Sequence, residues 1–236
     1  MPDIEERRDA VGRMGLADRD QRDLVTLTPR GLEHASDVLF DFGETGGCTF
    51  HEGRYNGDVA QNQYLPGLWL ISDERNDAGL ERAIRQLPRG SGFIYRHYHL
   101  PDPERYHRFY ALRRAAKAME HVVILADSAL TATDWGADGV YGAPQALWPR
   151  RAGLLQLATA HNAHEIGQAN RKAADAVLLS PVFATQSHPG APSLGPVRFR
   201  HLAKLCRAPV IALGGMTGAN ARRLEWQRWA AIDGLS

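Results

Sequence analysis

The chain has 236 residues, of which 44% are hydrophobic and 23% charged, with a formal net charge of +1. That length suits one large α/β domain or two small ones, and with a net charge of +1 nothing global argues for nucleic acid or an acidic membrane surface as partner. Cys48 and Cys206 form neither a disulfide framework nor a zinc spacing, no apolar run is long enough to span a bilayer, and MPDIEERRDAVGRMG has no signal-peptide core, so a cytoplasmic protein is the expectation.

Residues Met1–Pro66 read as a polar N-terminal extension, largely disordered on composition, with one amphipathic piece at Leu32–Phe40. From Gly67 to Ser236 the pattern becomes regular. Short apolar runs predict strands at Leu68–Ser72, Gly92–Arg96, Val122–Asp127, around Val140, and at Leu154–Ala160, Ala176–Ser180, Val210–Gly215 and Trp229–Gly234. Helical spacing separates them at Ala78–Leu87, Pro103–Met119, a short piece after Ser128, a brief stretch near Leu147, Ala163–Ala173, Pro196–Cys206 and Ala219–Trp226. Near-continuous apolar strands fit a parallel sheet covered on its outer face. Eight such βα steps predict a compact α/β fold, the (β/α)8 TIM barrel, whose final helix is short or missing. An open doubly wound sheet is the other arrangement, but no GxGxxG turn follows the first strand.

In such a barrel the carboxyl ends of the strands converge on the active site. Here they gather Asp73, Arg96, Asp127, Tyr141, Thr159, His161, Ser180, Thr185, His188 and the pair Gly214-Gly215. Gly214 and Gly215 read either as a turn needing positive φ or as backbone that approaches a phosphate closely, with Gly234 beside them after the last strand. Asp127 reads as a Mg2+ ligand or as a helix cap. Arg96 offers a planar fork to phosphate oxygens, and otherwise a salt bridge. His161 is either an acid–base group or a histidine before a helix capped by Asn162. His97 and His99 read as solvent-facing loop histidines, and the Arg- and aromatic-rich Arg105–Arg114 as a solvated helix face. The loop at Ser187–Gly190 has the length and composition of a lid.

Several of these stretches together resemble the thiamine-phosphate synthase / thiazole tautomerase family. SPVFATQSHPGAPSLG (Ser180–Gly195) is similar to that family's loop after strand six, and PVIALGGMTGAN (Pro209–Asn220) to its seventh strand and phosphate turn. LWLISDE, ADGVYG and TAH are similar to its first strand, its fourth-strand motif ADGxHxGQ and its S/T-x-H. The resemblance implies thiamine biosynthesis: an aminopyrimidine methyl diphosphate and a thiazole phosphate are joined, and diphosphate leaves with help from Mg2+. It implies Arg96 and His188 at the diphosphate, Asp127 at Mg2+, Thr159, Ser180 and Thr185 at the substrates, and Gly214, Gly215 and Gly234 at the thiazole phosphate. The partners implied are these small phosphorylated substrates, with a homo-oligomer left open and neither nucleic acid nor membrane expected. The chain departs from the family pattern at Tyr98 and His188, where lysines are usual, at Ala126 for Asn, at Tyr141 for His, at Pro144 for Gln, and at Ala146 for a second metal-binding Asp. Two further readings stay open. One is tautomerase-like proton transfer by His161 without diphosphate or metal. The other is non-catalytic binding of a thiazole phosphate or thiamine precursor.

Overall fold

The computed structural model describes residues 65–186, 190 and 192–235; the expected extension up to residue 64 and His188 lie outside them. The strands are β1 (Leu68–Ile71), β2 (Gly92–Tyr95), β3 (Val122–Leu125), β4 (Gly139–Gly142), β5 (Leu155–Ala160), β6 (Ala176–Leu179), β7 (Val210–Ala212) and β8 (Trp229–Ala231). All pair in parallel with their sequence neighbours, and β8 pairs back onto β1, so the sheet closes into the expected barrel. The helices are α1 (Leu80–Gln86), α2 (Asp102–Ala118), α3 (Ala129–Trp135), α4 (Ala163–Arg171), α5 (Gly195–Ala203) and α6 (Gly218–Leu224). Among the described residues no helix follows β8.

Alternation along each strand splits the apolar residues into two layers. Trp69, Ile71, Ile94, Ile124, Leu157, Leu178 and Ile211 point into the barrel, and Leu65 joins them. Leu70, Phe93, Tyr95, Leu125, Val177 and Leu179 point outward under the helices. Trp69 is among the largest fully buried side chains, and its Nε1 donates to Pro66 O at 2.8 Å. A Cβ at Gly92, directly across from Trp69 in the β1–β2 register, would lie 2.1 Å from the indole. The glycine vacates the volume the ring fills, as close packing requires.

Two local features differ from the sequence reading. The helical stretch expected near Leu147 is a turn at 144–147, tied down by Gln156 Nε2 donating to Leu147 O at 2.9 Å. A 3-10 helix (Glu74–Gly79) precedes α1, capped by Asp73 and Asn76 in a reciprocal capping box. Asn76 Nδ2 also donates to Ile71 O and Ile232 O, both at 3.0 Å, and so laces the ends of β1 and β8 where the barrel closes.

Candidate active site at the barrel mouth

Two contiguous cavities open at the carboxyl ends of the strands. The first, of about 290 Å³, is lined by Arg96, Tyr141, His161, Ser180, Thr185 and Gly214, among others. The second, of about 300 Å³, is lined by Thr185, Gln186, Gly214, Gly215, Thr217, Asp233 and Gly234, among others. Thr185, Leu213, Gly214 and Ile232 belong to both.

Gly214 and Gly215 have φ of +94° and +60°, the left-handed region that glycine alone enters without strain. The loop after β6 also crowds them. A Cβ would sit 2.6 Å from Pro181 Cα at Gly214 and 2.3 Å from Ala184 O at Gly215. Val182 N donates to Leu213 O at 2.9 Å and Phe183 N to Gly214 O at 3.0 Å. The glycines thus let two mouth loops meet, with Gly214 lining both cavities and Gly215 the second. Thr217 caps α6 by accepting from Asn220 N at 3.2 Å.

Arg96 reaches the first cavity from the end of β2. Its Nη2 donates to Asp73 Oδ2 at 2.6 Å, and its Nε is buried with no hydrogen-bond partner among the described residues. Asp73 also takes Arg75 Nε at 2.8 Å. Burial raises the Asp73 carboxyl, but hydrogen bonds and charge from Arg75 and Arg96 outweigh it and hold the group below the usual carboxylate range. Burial is the main cause that pushes the Tyr141 hydroxyl up, against the nearby charge of Arg96.

His161 lines the first cavity and is 53% exposed at its side chain. Asn162 caps α4 by accepting from Glu165 N at 3.0 Å. The Glu165 carboxylate turns back to take His161 N at 2.8 Å and His161 Nδ1 at 2.7 Å. This pairing fixes Nδ1 as the donor and leaves Nε2 as the ring's second site. Thr159 stands at the top of β5 with its hydroxyl donating to Gly142 O at 3.4 Å, and it is not among the residues lining either cavity.

Asp127 is also absent from both linings. Its Oδ2 takes Arg105 Nη1 at 2.5 Å, and its Oδ1 takes Ser128 N at 2.7 Å. Ser128, one residue later than expected, caps α3. Burial raises the Asp127 carboxyl, but the hydrogen bonds from Arg105 and Ser128 win, leaving it below its ordinary value.

Two expectations are corrected here. Arg105 is not on a solvated face: it is only 5% exposed, donates to Arg96 O at 3.1 Å and Ala126 O at 3.0 Å, and lies among the rings of Tyr95, Tyr98 and Trp135. His97 is not solvent-facing: it is 1% exposed at φ +36°, with Nδ1 2.8 Å from Ser72 Oγ and Nε2 2.7 Å from Asp77 Oδ1. Both follow from α2 packing back over the β1–β2 ends, which a linear polar pattern does not encode. Glu165, by contrast, had a local signal, since it stands three residues after the capping Asn162 and four after His161.

A closed parallel (β/α)8 barrel with a lined mouth at the strand ends places this molecule among the enzymes and binding proteins built on that frame. The particular family follows from comparison with known proteins. The sequence profile of the family TMP-TENI, described as Thiamine monophosphate synthase, matches residues 68–232, and the chain belongs to that family. A thiamine-phosphate synthase of Koribacter versatilis (strain Ellin345) is 31% identical over 179 residues, covering 70% of this chain and 84% of that protein. A thiamine-phosphate synthase of Pyrococcus furiosus is 26% identical over 175 residues, covering 72% and 83%. The solved thiamine phosphate pyrophosphorylase from Pyrococcus furiosus superposes with a TM-score of 0.60 at 23% identity, covering 73% of this chain and 87% of that one. Family membership supports a place in thiamine biosynthesis.

Proposed function

We propose that this mouth joins an aminopyrimidine methyl diphosphate to a thiazole phosphate and releases diphosphate. The observation that carries the reading is the continuity of two cavities of about 290 and 300 Å³, one walled by Arg96 and the other by the Gly214-Gly215 turn. A two-substrate reaction needs adjacent binding volumes with the reacting atoms between them. The pyrimidine diphosphate occupies the Arg96 side and the thiazole phosphate the glycine side. The bond from the pyrimidine methylene carbon to the diphosphate oxygen breaks, and its electron pair leaves on diphosphate. The thiazole nitrogen lone pair then forms the new carbon–nitrogen bond, leaving a thiazolium. Arg96 stabilises the charge that develops on the leaving oxygen, through a fork that one Asp73 oxygen only partly occupies. Ser180 and Thr185 hold the substrates at the junction.

Mg2+, which family resemblance implies at Asp127, does not fit the donors present. Both carboxylate oxygens already take strong donors, and positions 126 and 146 are alanine.

A second reading, proton transfer on a thiazole carboxylate phosphate, is favoured by the His161–Glu165 pair on the cavity wall. There His161 Nε2 exchanges the proton while Glu165 holds the ring. One experiment separates the two. Purified protein is given both coupling substrates, with and without EDTA, and thiamine phosphate and diphosphate are measured. Equimolar products that Arg96→Ala abolishes support coupling. No product, together with His161-dependent solvent-proton exchange into the thiazole carboxylate phosphate, overturns it in favour of proton transfer.

A further inference from the structure

We infer that the Arg105 guanidinium is the resident cation of the Asp127 carboxylate, and that this carboxylate does not hold a divalent metal ion. Arg105 comes from α2 and crosses to the end of β3. One edge of its fork is spent on two backbone carbonyls, Arg96 O at 3.1 Å and Ala126 O at 3.0 Å, and Nη1 meets Asp127 Oδ2 at 2.5 Å. Three rings enclose the guanidinium, those of Tyr95, Tyr98 and Trp135, with centroids 5.9, 5.7 and 5.4 Å from its carbon. A cation so enclosed and so fully hydrogen-bonded is a fixed part of the fold, not a surface side chain that swings away to admit an ion.

The carboxylate is matched to that cation. Asp127 Oδ1 takes Ser128 N at 2.7 Å, and the side chain is 28% exposed. Mg2+ requires near-octahedral oxygen coordination, with one or two carboxylates and several waters. Displacing Arg105 to supply one such oxygen would leave a guanidinium buried without its counter-charge and facing a dication, which is strongly unfavourable. Among the described residues no group of three His, Cys, Asp or Glu side chains stands ready to hold a metal. The carbonyl that Arg105 takes from Arg96 also ties this cation to the backbone of the residue that walls the first cavity. The inference deepens the reading of this mouth as a diphosphate-releasing site, but its test does not depend on turnover.

The test is a Mn2+ titration of the full chain, followed by the electron paramagnetic resonance of the free ion, with wild type and Asp127→Asn, each with and without inorganic diphosphate. The expected result is that the two proteins bind Mn2+ alike, within about twofold. A loss of about tenfold or more in Asp127→Asn overturns the inference. Should that variant not fold, paramagnetic broadening of the Ser128 and Thr131 amides in wild type decides: unbroadened signals support the pairing, and selective broadening overturns it. Metal binding at Asp127 would leave coupling to be judged by its own product assay. Absence of product with superimposed titrations would instead remove coupling and leave Arg105 as assigned.

Discussion

Gly215→Ala is the substitution whose cost can be built up term by term. The residue has φ of +60°, where an alanine is strained by about 1–2 kcal/mol. Its new Cβ would lie 2.3 Å from Ala184 O and 2.8 Å from Phe183 Cβ, so backbone on one side must move. Overpacking of that kind costs about 1–3 kcal/mol. Against this, the unfolded chain loses freedom when glycine becomes alanine, which returns about 0.4–1 kcal/mol. The net is a destabilisation of about 1–5 kcal/mol, or a fall in Tm of about 2–18 °C for a domain of this size. Gly153→Ala is the control, because Gly153 has φ of +82° but no atom within 4 Å of the added carbon. It carries the strain alone, so its stability falls by no more than about 1.6 kcal/mol. Calorimetry on both variants measures the difference, which is the contact between the two mouth loops. Because Gly215 and Ala184 line the second cavity, the proposed coupling predicts a higher KM for the thiazole phosphate in Gly215→Ala. Equal Tm values for the two variants would refute the reasoning, since the crowding would then cost nothing.

Two further outcomes follow from the charged groups. Burial chiefly lowers the His97 pKa, against hydrogen bonding and charge from Asp77 that raise it. The folded value is depressed, so the unfolded chain binds a proton first as pH falls below about 6.5, and His97 contributes stability above that pH that is lost toward its own lower pKa. His97→Gln therefore flattens the fall in Tm that begins below about pH 6.5, measured against wild type; a parallel pair of curves would contradict this. The acid limb below about pH 4 stays, because Asp73, Asp127 and Glu165, whose folded pKa values are lowered, lose their stabilising charge there. Glu165→Gln separates the two catalytic readings. If His161 moves a proton, solvent exchange into the thiazole carboxylate phosphate slows by about tenfold, while coupling changes by less than about twofold. A drop in coupling without a change in exchange would remove Glu165 from a role in orienting the ring for proton transfer.

The barrel was legible in the sequence because its determinants are local. Runs such as VVIL and AVLL, buried on both faces, separated by helical spacing and repeated eight times, leave few arrangements other than a closed parallel sheet. The mouth was legible for the same reason: the rule that strand ends converge gathered Arg96, His161, Ser180, Thr185 and Gly214, and these line one cavity. Short-range capping was partly readable: Asn162 caps its helix where the pattern put it, whereas the cap weighed for Asp127 falls on Ser128. Partnership across the fold was not. Nothing in the spacing between Arg105 and Asp127 announces that a helix residue will cross 22 positions to neutralise a strand-end carboxylate, or that His97 will be sealed between Ser72 and Asp77. Linear patterns encode which face a residue shares with its neighbours, whereas the charge that ends beside it depends on how helices settle over the barrel. The linear pattern sufficed for the frame and for the end of it that opens into cavities; which carboxylates already hold a cation emerges only from packing, because an ion pair between distant segments exists once helices have brought them together.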